Sequence, residues 1–199
     1  MNLYKSLRVL LLLLPAVAAS AQTEIPKNYL GTESAITFAG LRYDLVWTAH
    51  PTPAYFKQEY LPKGEQIDRF KNLLMLEVLS GNVSMNEVIA AKVKELRKIK
   101  ETNPVTQYEL FENDGEVILD FLLSVNSKDG KKVALVEHNV YRYRAERGTD
   151  GTEYVVLFGL SERSYGDDID TFLPGLKDRR YDLISTVGLF EIPAVHIAQ

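Results

Sequence analysis

The chain has 199 residues, of which 46% are hydrophobic, with a net charge of −4 and no cysteine. The acidic balance makes it a poor candidate for binding nucleic-acid phosphates, and the missing cysteine excludes disulfides, thiol nucleophiles and cysteine-ligated metals. Stability must therefore come from an apolar core, for which the chain is long enough.

The first 21 residues have the pattern of a cleaved secretory signal. Lys5 and Arg8 form a basic start, Val9 to Val17 is a short apolar run, and Ala19 to Ala21 supplies the small residues before a cut after Ala21. The apolar run is too short to span a bilayer. We expect residues 22–199 to form one exported domain, periplasmic or secreted, with no membrane span. Loss of the two basic residues brings its net charge from −4 to −6.

Alternating apolar and polar residues predict strands in the first part of this domain. Ala35 to Thr48 reads as one strand, the prolines of His50 to Pro53 break it, and Tyr55 to Tyr60 is extended. The turn Pro62-Lys63-Gly64 then leads into Phe70 to Leu79, an apolar strand at the centre of the fold. We expect this turn to need Gly64 because glycine has greater backbone freedom than other residues. The side chains expected to share one face of the first strand are Tyr43, Leu45 and Trp47.

The clearest helix follows this strand. Ser84 and Glu87 form a capping box, and Pro104 ends the helix. Apolar residues recur at helical spacing, which indicates one buried face. They are Met85, Val88, Ile89, Val93, Leu96 and Ile99.

Four more strands are predicted, joined by short turns that contain glycine. The first two turns carry the Asp-Gly pair typical of hairpins, so the strands should form a continuous antiparallel meander. The strands are Val105 to Glu112, Glu116 to Asn126, Lys131 to Arg144 and Glu153 to Arg163.

A second helix is predicted near the C-terminus. Asp167, Asp168 and Asp170 suit its entry, Pro174-Gly175 should interrupt or restart it, and Gly188 should end it. The tail from Leu189 to Ile197 then either pairs as an edge strand or packs over the sheet. The whole order predicts an α+β fold in which an antiparallel β-sheet is flanked by helices.

The sequence shows no catalytic or metal-binding signature. Ser161 lies in Gly-Leu-Ser-Glu-Arg, which lacks the second glycine of a nucleophile elbow. The three histidines fit no zinc spacing. The aspartates at the second helix could hold Ca²⁺, but a helix entry explains them without an ion. We therefore expect no cofactor and no metal.

Two polar clusters are candidate surfaces for a partner or ligand. A solvated loop explains the first equally well, and a half-buried tyrosine face with a charged outer face explains the second. The first cluster, around the central turn, contains His50, Glu59, Tyr60, Lys63 and Glu65. The second, on a strand expected to offer an exposed edge, contains Glu137, Tyr141, Arg142, Tyr143 and Arg144.

Five segments follow one another along the chain: the turn EYLPKGE at Glu59 to Glu65, the strand FKNLLMLEVL, the Ser84 helix, the meander and the helix LKDRRYDLIST at Leu176 to Thr186. Their order resembles that of the PsbP-like fold family. These α/β/α sandwiches include proteins of the PsbP, Ran-binding Mog and DcrB types. Where relatives often have tryptophan before the central strand, this chain has Phe70. The resemblance implies a non-catalytic binding or assembly factor.

Three functions follow as hypotheses. The first is an exported binding or accessory protein without catalytic activity, whose partner is another envelope protein. The second is a small hydrolase or isomerase that uses His50 or His138 with one of three glutamates as an acid–base pair, namely Glu59, Glu65 or Glu137. The third is a carrier of an apolar ligand, with a cavity lined by Leu119, Phe121, Tyr154 and Phe158.

Overall fold

The computed structural model describes residues 26–81, 83–148 and 151–197, so the expected signal and its cut lie outside the described residues. The described chain forms eight strands and two helices. In chain order they are β1 (Ala35–Phe38), β2 (Leu41–Thr52), β3 (Tyr55–Pro62), β4 (Asn72–Ser80), α1 (Met85–Lys100), β5 (Gln107–Asn113), β6 (Glu116–Asn126), β7 (Val133–Arg147), β8 (Glu153–Tyr165) and α2 (Ile169–Leu189).

All eight strands belong to one antiparallel sheet, in the order β1-β2-β3-β4-β8-β7-β6-β5. The predicted meander from β5 to β8 is confirmed. Its last strand pairs with β4, where Leu76 lies opposite Phe158. This pairing joins the N-terminal hairpins to the meander, and the predicted α+β fold with an antiparallel sheet and helices is confirmed.

The sheet buries an apolar core on each face, because alternate residues of a strand point to opposite sides. In β4, Leu74 and Leu76 enter the core that contains α2, whereas Leu73 and Met75 enter the core that contains α1. We call these two sides the α2 face and the α1 face. Neither helix is long and apolar enough to cross a membrane, as far as the described chain extends.

Helix α1 agrees with its prediction. The backbone N–H of Glu87 donates to Ser84 Oγ at 3.2 Å, and Glu87 Oε2 accepts from the Ser84 N–H at 2.9 Å. The helix ends at Lys100, before Pro104. Its buried residues are Ile89, Val93 and Leu96.

The prediction for the first strands was wrong in two respects. Ala35 to Thr48 is not one strand, because a turn at Ala39 and Gly40, both with positive φ, folds it into the β1–β2 hairpin. His50 to Pro53 does not break β2, which continues to Thr52. Its pairing with β3 becomes irregular between Ala49 and Thr52, and this irregularity accommodates a proline without a backbone donor.

A bulge in β2 also separates three residues that were expected to share a face. Leu45 lies opposite Tyr60, and Trp47 lies opposite Glu59, so one extra residue, Val46, is inserted between the two pairs. A bulge changes the side to which the following residues point. Trp47 is consequently on the α1 face and 42% exposed.

The C-terminal part corrects one prediction and settles another. Helix α2 is continuous, so Pro174 does not interrupt it. A proline in this second turn removes a single hydrogen bond, the one to the carbonyl of Asp170. The tail packs over the sheet with Ile192 and Val195 buried in the α2-face core, and the His196 N–H donates to the Leu30 carbonyl at 2.8 Å.

Candidate functional site

The first predicted cluster does not form one site, since Tyr60 is completely buried. Its Oη lies 2.8 Å from Thr32 Oγ1 and accepts from Gln58 Nε2 at 2.6 Å. Gln58 Oε1 in turn accepts the Leu30 N–H at 3.0 Å. This network attaches the segment before β1 to the sheet, and Tyr60 cannot lie on a partner surface.

Glu65 and Lys63 belong to the turn that leads towards β4. Glu65 Oε2 accepts the backbone N–H groups of Lys71 at 2.6 Å and Asn72 at 2.9 Å, so its carboxylate closes the loop. Lys63 is exposed beside Gly64. The φ of Gly64 is +90°, which confirms that this position needs glycine's backbone freedom.

His50 lies far along β2 and is exposed. Its ring stacks on Phe56 with centroids 4.0 Å apart, and Nδ1 lies 3.0 Å from the carbonyl oxygen of Tyr55. These contacts hold the imidazole against the β2–β3 hairpin. His50 therefore has a packing role that its sequence neighbours did not indicate.

The second predicted cluster lies on β7, which is paired on both sides and is not an edge strand. The predicted alternation is confirmed: Tyr141 and Tyr143 contact the α1-face core, while Arg142 reaches α2 on the other side. Arg142 pairs with Glu116 and donates to the carbonyls of Val187 at 3.2 Å and Phe190 at 2.7 Å.

Cations at the end of a helix satisfy its last carbonyls, so Arg142 fixes the C-terminus of α2. Arg144 pairs with Glu146 on its own strand. Glu137 pairs with Arg163, which also covers the ring of Phe70. These three charged residues of the predicted surface are consequently engaged within the fold.

The structure does bring Glu59 and Tyr141 onto one surface. Adjacent pairs across the sheet place Trp47, Glu59, Met75, Gly159 and Tyr141 in one row on the α1 face. The next row contains Ala49, Lys57, Glu77, Leu157 and Tyr143. Tyr55 lies in the row beyond these two, opposite Leu79, and its hydroxyl is beside Glu77. We give the name Lys57 face to the group of Trp47, Tyr55, Lys57, Glu59, Glu77 and Tyr141.

Lys57 lies between two carboxylates at the centre of this surface. Its Nζ is 2.8 Å from Glu59 Oε1 and 3.3 Å from Glu77 Oε1. The side chains are 23% exposed for Lys57 and 14% for each glutamate. Burial lowers the pKa of Lys57, but the two glutamates outweigh burial and raise it overall. Lys57 therefore remains charged, and the carboxyl groups of Glu59 and Glu77 share this one cation.

Two phenols border the charged group. Burial, with Glu77 beside the hydroxyl, raises the pKa of Tyr55. Burial also raises the pKa of Tyr141 well above its ordinary value, with Glu137 and Glu77 adding to the effect. Both phenols thus keep their proton at neutral pH, and each can donate a hydrogen bond.

Helix α1 packs on the same side of the sheet. It contacts β5 and β7, where Lys92 lies over the ring of Phe121 and Arg97 donates to the Tyr108 hydroxyl at 3.0 Å. The Lys57 face is formed mainly by residues of β2, β3 and β4. Trp47 is the exposed aromatic residue at its outer end.

A second polar group is buried under α2 and is centred on His138, which is 2% exposed. His138 Nε2 lies 2.6 Å from Asp120 Oδ1, and Nδ1 lies 3.7 Å from Glu162 Oε2. Arg180 contacts the other oxygen of Asp120 at 2.6 Å, and Arg179 contacts Glu162 at 2.7 Å. Two carboxylates on the sheet are therefore each shared between the histidine and an arginine of α2.

The charges of this group determine its protonation. Burial by itself lowers the pKa of His138, but Asp120 and Glu162 outweigh burial and raise it. Burial likewise acts to raise the pKa of each carboxyl, and contacts with His138 and an arginine lower both values overall. All three pKa shifts favour the charged forms, as in a structural ion network.

Of the acid–base pairs that the second hypothesis offered, His138 with Glu137 does not form. Neighbouring residues of a strand point to opposite faces, so Glu137 lies on the α1 face with Arg163. The partners of His138 come from β6 and β8 instead. A shallow cleft of about 400 Å³ adjoins this group, between the end of β8 and the start of α2, and is lined in part by Lys71, Glu162 and Arg179.

The structure gives no support to the predicted apolar cavity. Leu119 and Phe121 lie in the α1-face core, whereas Phe158 lies in the α2-face core, and Tyr154 packs against that second core. Residues on opposite sides of one sheet cannot line a common pocket. All three core residues are essentially unexposed, so the proposed lining is close-packed.

The described part of the chain contains no group of three His, Asp or Glu residues that could hold a metal ion. At the start of α2, Asp168 is the N-cap but makes no side-chain capping bond. Its Oδ2 lies 3.9 Å from Lys71 Nζ. The aspartates therefore lie at the helix entry, as expected, without the capping contact that this position often provides.

A protein-family model matches residues 30–192, which is most of the chain. The chain belongs to that family. The match begins at Leu30 and ends at Ile192, both of which are buried in the α2-face core. It therefore spans the sheet and both helices. No curated protein and no solved structure matches the chain significantly.

Several residues of the Lys57 face and of the group around His138 were not predicted from the sequence. Glu77 carried a usable signal, because it is the charged residue of the apolar strand LLMLEVL, whereas Lys57 lies in the mixed strand YFKQEYLP and carried none. Asp120 lies in the apolar strand VILDFLL and carried the same signal. Arg179 and Arg180 carried none, since charged residues are normal on an exposed helix face.

Proposed function

We propose that the chain is an exported binding or accessory protein of the cell envelope, which acts without catalysis and recognises a protein partner through the Lys57 face. The signal pattern of its first residues supports export. The helix, sheet and helix layers, together with the meander, support the resemblance to the PsbP-like fold family. That resemblance in turn favours a binding or assembly role.

The Lys57 face is the observation that carries this proposal. A half-buried group of charges on a sheet contributes little to folding, because desolvation offsets the attraction between the ions. Aromatic residues with a polar end are enriched in protein interfaces. This surface combines both features beside Trp47, which is 42% exposed.

The chemistry of the surface favours a cationic group on the partner. Glu59 and Glu77 share a single lysine, so an arginine or lysine of the partner would find a carboxylate and adjacent aromatic rings. A partner contact at the rim would bury Trp47 further. The face is therefore suited to a basic segment of another envelope protein.

The buried histidine group favours a structural role over catalysis. A general acid or base must reach the substrate within hydrogen-bond distance, whereas His138 is covered by α2 and paired with ionised carboxylates. This arrangement supports the non-catalytic reading over a hydrolase or isomerase. A purified protein that hydrolyses a small ester, and loses this activity in a folded His138→Gln variant, would contradict it.

The partner surface can be tested by affinity capture from envelope extract. Trp47→Ala and Glu59→Gln should each weaken retention of the partner by about tenfold, because each removes a group expected to contact the partner directly. Tyr181→Ala is the matched control, because Tyr181 is an aromatic residue with 60% exposure on α2. It should retain the partner at the wild-type level.

Two results would overturn this assignment. In the first, the wild-type protein captures no envelope protein. In the second, Tyr181→Ala reduces capture as much as Trp47→Ala does, which would show that the loss is not specific to the Lys57 face. Circular dichroism of each variant should first show a native spectrum.

A further inference from the structure

Strand β5 forms one end of the sheet, and its outer edge pairs with no strand of the described chain. An edge strand has a row of unpaired N–H and C=O groups, which proteins usually protect with charged side chains, proline, a bulge or a very short strand. The charged residues of β5 are two glutamates. Strand β5 has seven residues, QYELFEN, with neither proline nor lysine and with a regular register to β6. The opposite edge strand, β1, has only four residues.

The side chains of β5 make this edge partly apolar. Leu110 is 41% exposed at the middle of the strand. Phe111 points to the other side, where its ring contacts Tyr181 of α2 with centroids 6.4 Å apart. A strand with an exposed central leucine and an open hydrogen-bonding edge can accept another strand.

We propose that two copies of this chain pair through their β5 strands, antiparallel, around a two-fold axis at Leu110. This register places Leu110 opposite the partner's Leu110 and aligns all seven residues. Gln107 then faces the partner's Asn113, Tyr108 faces the partner's Glu112, and Glu109 faces the partner's Phe111. The two sheets become one continuous sheet with an α1 face and an α2 face common to both copies.

Charge complementarity favours this register. Both acidic residues of β5 lie opposite aromatic residues, so no glutamate faces a glutamate across the interface. Arg97 donates to the Tyr108 hydroxyl at 3.0 Å, and the partner's Glu112 would come beside this arginine. A register centred on Glu109 would instead place two like charges directly opposite each other, which is destabilising.

The assembly closes at two copies. Pairing of β5 with β5 uses the long edge of each sheet, and a two-fold interface is self-complementary. The edges that remain are the two short β1 strands. A dimer is therefore the expected product, rather than a growing stack of sheets.

Cysteine cross-linking provides a clean test because the chain has no cysteine. Under mild oxidation, Leu110→Cys should give a disulfide-linked dimer, since directly opposed residues of paired strands have suitable Cα separations. Leu41→Cys is the matched control: Leu41 is 43% exposed on β2, at the far end of the sheet. This variant should remain uncrosslinked.

The register has its own test. Gln107→Cys mixed with Asn113→Cys should form a cross-linked heterodimer, while each variant alone should not. Light scattering of the unmodified protein should give twice the monomer mass, and Leu110→Lys should reduce it to the monomer mass. Leu41→Lys should leave the mass of the dimer unchanged.

The proposal fails if the wild-type protein is monomeric across the accessible concentration range, or if the two single-cysteine leucine variants cross-link equally. These outcomes are independent of the Lys57 face. Leu110→Lys leaves that face intact and should still capture the envelope partner, so a failed dimer test would not affect the proposed function.

Discussion

Gly159 lies on β8 directly beneath the ring of Tyr141. A Cβ at this position would lie 3.0 Å from Tyr141 Cδ1 and 3.1 Å from Met75 Cε. Tyr141 cannot easily move away, because its ring packs edge-on against Phe121 with centroids 4.8 Å apart. The missing side chain therefore makes room for one of the two phenols of the Lys57 face.

We expect Gly159→Ala to lower the free energy of unfolding by about 1 kcal/mol, as overpacking of a filled core does. The matched control is Gly175→Ala in α2, where a new Cβ meets nothing within 4 Å. That change should raise stability by about 1 kcal/mol, because glycine is a poor helix former. Urea denaturation followed by circular dichroism measures both. Equal stability of Gly159→Ala and wild type would show that Tyr141 does not depend on this space.

At the residue scale, the sequence shows which side chains are charged or polar, but not which residues they contact in the fold. Glu59 and Tyr141 were predicted in two separate clusters, and the row that they share depends on the pairing of β4 with β8. The glutamates offered to His138 as acid–base partners included its chain neighbour Glu137, but its contacts come from Asp120 and Glu162 on the adjacent strands. Strand alternation excludes the former contact, and only sheet order provides the latter.

Helix α2 is the element that depends most on buried charge. Arg179 and Arg180 bind two carboxylates of the sheet, and His138 lies between these carboxylates. Breaking a buried ion network leaves a charge without a partner, which is strongly destabilising. The attachment of α2 should consequently depend on pH.

The direction in which stability changes with pH follows from the pKa shifts. The raised pKa of His138 adds stability that is complete below 6.5, the ordinary value, and is lost as the pH rises through the folded value. The lowered values of Asp120 and Glu162 add stability above their ordinary values of 3.8 and 4.5, which is lost as the pH falls. The ion group around His138 therefore stabilises the fold most between about pH 4.5 and pH 6.5.

His138→Gln should remove the decrease in stability above pH 6.5. In the wild type, this decrease has a maximum slope of about 1.4 kcal/mol per pH unit, because one proton is involved. Unfolding free energies measured at several pH values test the prediction. His50→Gln changes a histidine outside the group and should keep the wild-type profile. A profile for His138→Gln that is parallel to the wild type would contradict the assignment.

At the element scale, features determined by a few neighbouring residues were predicted correctly, whereas the irregular positions of the strands were not. The capping box of α1 and the Asp-Gly turns determine structure within a few residues, so their predictions were correct. The bulge at Val46 and the turn at Ala39 have no comparable signal. Both depend on how β2 pairs with its neighbouring strands. The bulge is the irregularity that places Trp47 on the α1 face.

The two cores of the molecule share the same strands. Strands β4 and β8 each contribute alternate residues to the α1-face and α2-face cores. Loss of either strand would expose both cores together. The helix on one face therefore depends on the same sheet as the helix on the other.

We expect the protein to unfold in one cooperative transition. Thermal or urea unfolding followed by near-ultraviolet and far-ultraviolet circular dichroism should give coincident midpoints, which is the standard test of two-state behaviour. Two separate midpoints would show that one core unfolds while the other remains. Repetition with Leu76→Ala, a truncation in the α2-face core, should lower both midpoints equally.

At the scale of the whole molecule, the fold class was predictable from the order of apolar patterns. An antiparallel meander with two helices leaves few ways to bury every apolar face. The position of β4 beside β8 was not predictable, because a long stretch of chain separates them. Long-range pairing of this type depends on the total burial that it achieves, which no short segment encodes.

Trp47 gives the molecule a further property. It is the only tryptophan of the chain, and the bulge at Val46 places it, 42% exposed, at the rim of the Lys57 face. Its indole emission therefore reports the polarity of that surface and of no other part of the protein. A partner that covers the face would shift this emission to shorter wavelength, so the protein contains its own fluorescent label for the site.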